Sequence, residues 1–296
     1  MTALTTDPGA RPWAVDSHAH ILDTARFPLS NPVGYAPQAN ECGTAHEFET
    51  VLAMHGMTHA LLVNPFAGYA TDNSCMLDAI AGAGGRFKGI ALVGHDTDER
   101  TFQKLRDGGV IGARFNTLFS GSTSLEGAAG QRLLANVREQ GWFAQVYFHD
   151  DGFLQLLPIL QAARIRVVVD HCGCPDPSRG LGQPGFQALL ELGRRGQAAI
   201  KLSGAFRYSR QSWPYADADP FVQALIDAFT LENCVWGSDW PFVRVPHRMD
   251  YGPVRALLDR WLPDPAARRQ VLWDTPARWF GFAEPQGAAS GEVAHA

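Results

Sequence analysis

The chain has 296 residues, of which 46% are hydrophobic and 19% charged, with a net charge of −5. This is ordinary globular usage, and without a basic footprint it argues against nucleic acid as a partner. There is no apolar run of about 18 residues to cross a membrane, and the opening MTALTTDPGARPW lacks the apolar segment of a secretory signal. Five scattered cysteines argue against a disulfide framework and for a reducing, cytoplasmic setting.

Short β-rich runs alternate with amphipathic stretches along the chain, the pattern of a parallel sheet built from βα units. Residues 14–21 form the first expected strand. A long irregular piece over 22–43 and a helix over 44–55 follow. The second strand spans 59–64 and leads to a helix over 72–81, and the third, 88–93, to one over 98–107. Strand four, 110–116, precedes a helix over 131–140; strand five, 143–149, precedes one over 152–163. Strand six, 166–171, is followed by a helix over 186–195. Strand seven, 198–203, is followed by an irregular piece over 206–219 and a helix over 220–230. The eighth strand spans 234–239.

Most of these runs are nearly continuous in Val, Ile, Leu and Phe, as strands buried on both faces should be. Many helices run into glycine, which supplies the left-handed residue that closes a helix. The expected fold is a (β/α)8 TIM barrel in one domain over residues 14–283, with flexible termini at 1–13 and 284–296. An open doubly wound sheet is the alternative. In a barrel the loops after the strands build the active face, so the pieces over 22–43 and 206–219 are expected to cover the pocket. The outer helices are compatible with a homodimer.

The strongest local signal is Val15-Asp16-Ser17-His18-Ala19-His20. Residues i and i+2 of a strand point to one side, so His18 and His20 face the same way. They can share a metal ion, or be two satisfied loop histidines. Strand five ends in His149, strand six in His171 and strand eight in Asp239. Ionisable groups are costly to bury unless paired or metal-bound, and four strands ending in them at one mouth mark a functional site. His46, His55, His59, His95, His247 and His295 have no partner at such spacing. Cys172 and Cys174 form a C-x-C without redox spacing, and Ser203-Gly204 is not a nucleophile elbow.

This constellation resembles the amidohydrolase superfamily. The segments VDSHAH, GARFN, VVVDHCG, KLSG and VWGSDWPF resemble more narrowly its group of 2-pyrone-4,6-dicarboxylate, muconolactone and sugar-lactone hydrolases, over residues 14–282. The resemblance implies hydrolysis of a lactone or related ester. It also implies one divalent ion on His18, His20, His149 and Asp239: Zn²⁺ by its imidazole-rich ligands, with Mn²⁺ as the alternative. Asp239 would shuttle the proton, and His171 would hold the water or the developing oxyanion. The pyrone dicarboxylate lactonases are regarded as metal-independent and lack the strand-five histidine, which His149 restores here. Ser120 and Cys174 stand where those enzymes are expected to carry arginines, so a substrate with one carboxylate or sulfonate is expected.

Arg114 and Asn116 share one face of strand four. Arg114 and Arg207 are expected to bind the anionic group, with an Arg114–Asp170 ion pair as the structural alternative. Tyr147 shares a face with His149 and would donate to a substrate oxygen or simply fill the barrel. Lys201 is left open between carboxylate binding and structure, and Trp240 is expected to wall the pocket. The competing functions are a non-oxidative decarboxylase of an aromatic or muconate-type acid, a metal-independent lactonase or lactone isomerase, and a binding protein without chemistry.

Overall fold

The computed structural model describes residues 13–30, 35–118 and 121–283. Eight parallel strands run in sequence order: β1 Val15–Ala19, β2 His59–Val63, β3 Phe87–Ala91, β4 Val110–Asn116, β5 Phe143–Tyr147, β6 Val167–Val169, β7 Ala198–Lys201 and β8 Cys234–Val235. The sheet closes on itself past the end of β8. Ser17 N donates to Trp236 O at 2.8 Å, Asp239 N to His18 O at 2.8 Å and His20 N to Trp240 O at 2.7 Å. This is the (β/α)8 barrel, and the open-sheet alternative falls with the closure.

Most strands stop earlier than the sequence suggests. β6 ends at Val169, before Asp170 and His171, and β8 ends at Val235, before Asp239. The chemically loaded tips leave the ladder because their backbones turn: His171 has φ 49°, Cys172 57° and Asp239 65°. Left-handed conformations are strained for such residues, and strain of this kind gathers at functional sites.

Helices alternate with the strands. The helix Ala45–Met54 starts at a Thr44–Glu47 capping box, and Glu99–Asp107 starts on the Asp98 side chain, so in each first turn a side chain satisfies one of the free amides. The sequence reading missed the helix Tyr251–Trp261 and the C-terminal helical run. That run delivers Trp273, Trp279, Phe280 and Phe282 onto Val15, Leu61, Phe143, Val168 and Ala199. These residues plug the end of the barrel opposite the strand tips. Trp13 joins them through edge contact with His59 and Trp273. The remaining termini expected to be flexible lie outside the described residues. No helix among the described residues is long and apolar enough to cross a membrane.

Candidate active site

The strand tips gather His18, His20, His171 and Asp239 around one point, all buried. Asp239 is central. Its Oδ1 lies 3.3 Å from His20 Nε2 and 3.7 Å from His18 Nε2, and its Oδ2 lies 3.5 Å from His171 Nε2. Oδ2 also accepts from Arg207 Nε. Arg207 stands on the short helix Ala205–Tyr208, in the segment after β7. Burial pushes the Asp239 carboxyl up, but its charged partners, the Arg207 guanidinium foremost, outweigh it and hold it well below the usual carboxylate range. Burial pushes His171 down to about 3 against the pull of Asp239, so its ring is neutral at physiological pH.

Two glycines make the crowding possible. A Cβ at Gly237 would lie 2.5 Å from the Cβ of His18, and one at Gly204 would lie 2.7 Å from His171. Gly204 also has φ 67°, a backbone that favours glycine.

The ring nitrogens turned away from Asp239 are anchored. His20 Nδ1 lies 2.7 Å from the Val63 carbonyl, and His171 Nδ1 lies 3.1 Å from Ser203 Oγ. A carbonyl only accepts, so Nδ1 of His20 carries a proton and Nε2 is the ring nitrogen turned to Asp239. His18 Nε2 and Asp239 Oδ1 are buried with no hydrogen-bond partner. Ligand atoms of His18, His171 and Asp239 lie within 4.8 Å of one another. Unpartnered imidazole and carboxylate atoms converging at this spacing fit a divalent cation.

His149 is not part of this cluster. β5 ends at Tyr147, and the half-buried His149 turns its Nε2 to the Tyr147 hydroxyl at 3.1 Å. His171, expected as a helper, occupies the cluster instead.

Two cavities open at the mouth. One, of about 50 Å³, is lined by His20, Arg114, Tyr147, His171, Arg207 and Asp239 among others. A second, of about 350 Å³, is lined by residues including Asn116, Ser122, His149 and Gln155. The Tyr147–His149 hydrogen bond joins the two linings. Asn116 lies at the second cavity rather than the first, with its Nδ2 buried and unpartnered. Trp240 lines neither: its ring stacks on Phe48 at 5.0 Å and packs on Gly43. A larger cavity, about 720 Å³, lies at the opposite end of the barrel around Arg164, Arg166 and Trp279. It holds no carboxylate or imidazole, so the chemistry belongs to the mouth.

Beneath the mouth lies a polar layer of which the sequence suggests the Arg114–Asp170 pair and leaves Lys201 open, but does not single out Gln145. Arg114, Gln145, Asp170 and Lys201 meet inside the barrel, all buried. Asp170 Oδ2 accepts from Arg114 Nε at 3.0 Å and from Gln145 Nε2 at 3.1 Å. Arg114 thus makes the structural ion pair with Asp170 and lines the small cavity as well. The signal was available: Gln145 and Lys201 stand two residues past Phe143 and Ala199, which point into the barrel. Asp16 supports the site from behind, accepting from Ser238 N, His18 N and the Tyr251 hydroxyl.

A closed (β/α)8 barrel with imidazoles and a carboxylate converging at the C-terminal ends of its strands has the architecture of a barrel enzyme. The chain matches the Amidohydrolase family over residues 15–282 and belongs to it. It is 32% identical to a 4-sulfomuconolactone hydrolase of Rhizobium radiobacter, over 90% of each chain. It is 30% identical to a 4-sulfomuconolactone hydrolase of Hydrogenophaga intermedia, over 91% of this chain and 89% of that one. Among solved structures it resembles a probable 2-pyrone-4,6-dicarboxylic acid hydrolase from Acinetobacter baumannii with citric acid bound. The TM-score is 0.83 and the identity 30%, over 91% of this chain and 99% of that one. Ser120, one of the two positions compared with that group's arginines, lies outside the described residues; Cys174, the other, is buried.

Proposed function

We propose that this protein hydrolyses a lactone bearing one carboxylate or sulfonate, at the centre formed by His18, His20, His171 and Asp239. The observation that carries this reading is the ionised Asp239 carboxylate, ringed by three imidazoles in a cavity lined by two arginines. The likeness to 4-sulfomuconolactone hydrolases supports the choice of bond and of anionic group.

Asp239 takes the proton of the attacking water and returns it to the leaving ring oxygen. Its depressed pKa keeps it ionised, the state a general base starts from, at some cost in basicity. His171, neutral and anchored by Ser203 through Nδ1, turns its one remaining nitrogen, Nε2, into the cluster as a ligand position. Tyr147, held against His149, presents its hydroxyl at the cavity wall. The guanidinium groups of Arg114 and Arg207 receive the anionic group of the substrate. His18, His20, His171 and Asp239 would hold one divalent ion, Zn²⁺ by its donor set with Mn²⁺ as the alternative, supplying Lewis-acid polarisation and a more acidic water. His149, at the rim, is left to the Tyr147 contact and the second cavity. All five cysteines are free, which supports a reducing, cytoplasmic setting.

The test is a panel of muconolactones and sugar lactones with and without one carboxylate or sulfonate, run beside metal analysis of the purified protein. Proton release without carbon dioxide on an anionic lactone, with about one equivalent of zinc or manganese, is the expected result. Carbon dioxide release from an aromatic or muconate-type acid would replace this reading with the decarboxylase.

A further inference from the structure

The polar layer beneath the mouth has a contact that the proposed reaction does not use. Lys201 is fully buried, and its Nζ meets three acceptors: Gln145 Oε1 at 2.8 Å, His18 Nδ1 at 3.0 Å and Asp170 Oδ1 at 3.2 Å. An ammonium has three protons to give, so these contacts use them all. His18 Nδ1 also lies 3.2 Å from Asp170 Oδ1. Asp170 Oδ2 is already taken by Arg114 and Gln145, which leaves Oδ1 contested between His18 and Lys201.

The two partners of His18 Nδ1 demand opposite things. Asp170 accepts a proton from it, whereas Lys201 donates one to its lone pair. A protonated Nδ1 facing an ammonium at 3.0 Å would set donor against donor, so one arrangement excludes the other. The consequence appears across the ring. With the proton on Nδ1, Nε2 turns a lone pair toward Asp239 Oδ1, 3.7 Å away, and the pair is ready for a cation. With the proton on Nε2, that edge of the ring cannot ligate.

We propose that Lys201 is a positioning residue that holds His18 with its proton on Nε2, and so weakens the divalent-cation site at His18, His171 and Asp239. Loading the site then requires His18 Nδ1 to pass from Lys201 to Asp170, whose carboxylate orients the ring for a metal. The inference rests on the reading that these residues hold a cation. It involves no change of charge: the imidazole stays neutral, and only the nitrogen that carries its proton changes.

The tautomer is read directly on metal-free protein labelled with ¹⁵N-histidine, by long-range ¹H–¹⁵N spectra. The expected result is an Nε2-protonated His18 in the wild type and an Nδ1-protonated His18 in Lys201→Met. Zinc affinity, measured by chelator competition, should be about tenfold or more tighter in Lys201→Met, the scale of a lost charge-assisted hydrogen bond. Loss of positive charge alone would tighten zinc binding without moving the proton, so an unchanged tautomer in the variant overturns the proposal. So does an Nδ1-protonated wild type, or unchanged zinc affinity. If Lys201→Met fails to fold, the wild-type spectrum still decides. An enzyme that turns over no lactone would overturn the hydrolase reading and leave these spectra unaltered.

Discussion

Replacing Asp239 with asparagine preserves the shape of the side chain and removes the charge on which the site converges. Oδ1 and Oδ2 face three imidazole nitrogens at 3.3–3.7 Å and the Arg207 guanidinium. An amide there can neither accept the proton of water nor balance Arg207. Loss of a general base costs about 10²–10⁴ in rate, and the lost electrostatic partner adds to it, so kcat/KM should fall about a thousandfold or more. At 1.36 kcal/mol per decade, a thousandfold is about 4 kcal/mol of transition-state stabilisation. Removing one partner of a buried ion pair costs about 3–5 kcal/mol of stability. The Arg207 side chain is 16% exposed and partly rehydrates, so the lower end applies. The assay pairs steady-state kinetics on an anionic lactone with urea unfolding. A variant that keeps more than about a tenth of wild-type kcat/KM would refute the assignment of Asp239 as the base.

Two further perturbations test separate parts of the argument. In Arg207→Gln the group that holds the Asp239 carboxyl low is gone, so the acid limb of kcat/KM, which reports the free enzyme, moves to higher pH. Because the folded carboxyl is depressed, the pair stabilises the fold above the unfolded value near 4 and loses this as pH falls through the lower folded value. The melting-temperature gap between wild type and Arg207→Gln should therefore be widest above pH 4 and close below it; a gap independent of pH would contradict the pairing. Gly43→Ala sets a Cβ 2.1 Å from the Trp240 ring, which is held by stacking on Phe48. Overpacking of this kind costs about 1–3 kcal/mol, and because Trp240 follows Asp239, kcat should drop as well. Wild-type stability and kcat in this variant would show that the loop after β8 is free to shift.

The sequence by itself determined the barrel and the mouth. Eight apolar runs separated by amphipathic stretches leave few ways to bury strands on both faces, and period-two alternation puts His18 and His20 on one side before any fold is known. His171 and Asp239 were legible because each closes such a run. Where each imidazole finally points was not legible, because alternation holds only while the strand does. β5 stops at Tyr147, and beyond it His149 turns to the Tyr147 hydroxyl, while the left-handed backbones at His171 and Asp239 carry those residues inward. The partners of the charges were equally hidden. Arg207 meets Asp239 from 32 residues away, and Lys201 meets His18 from 183 away. Pairing of β7 with β8 brings the first two together, and closure of β8 onto β1 brings the second two. Chain-local chemistry therefore names the candidates, and the tertiary structure decides which of them share a proton or could share a metal ion.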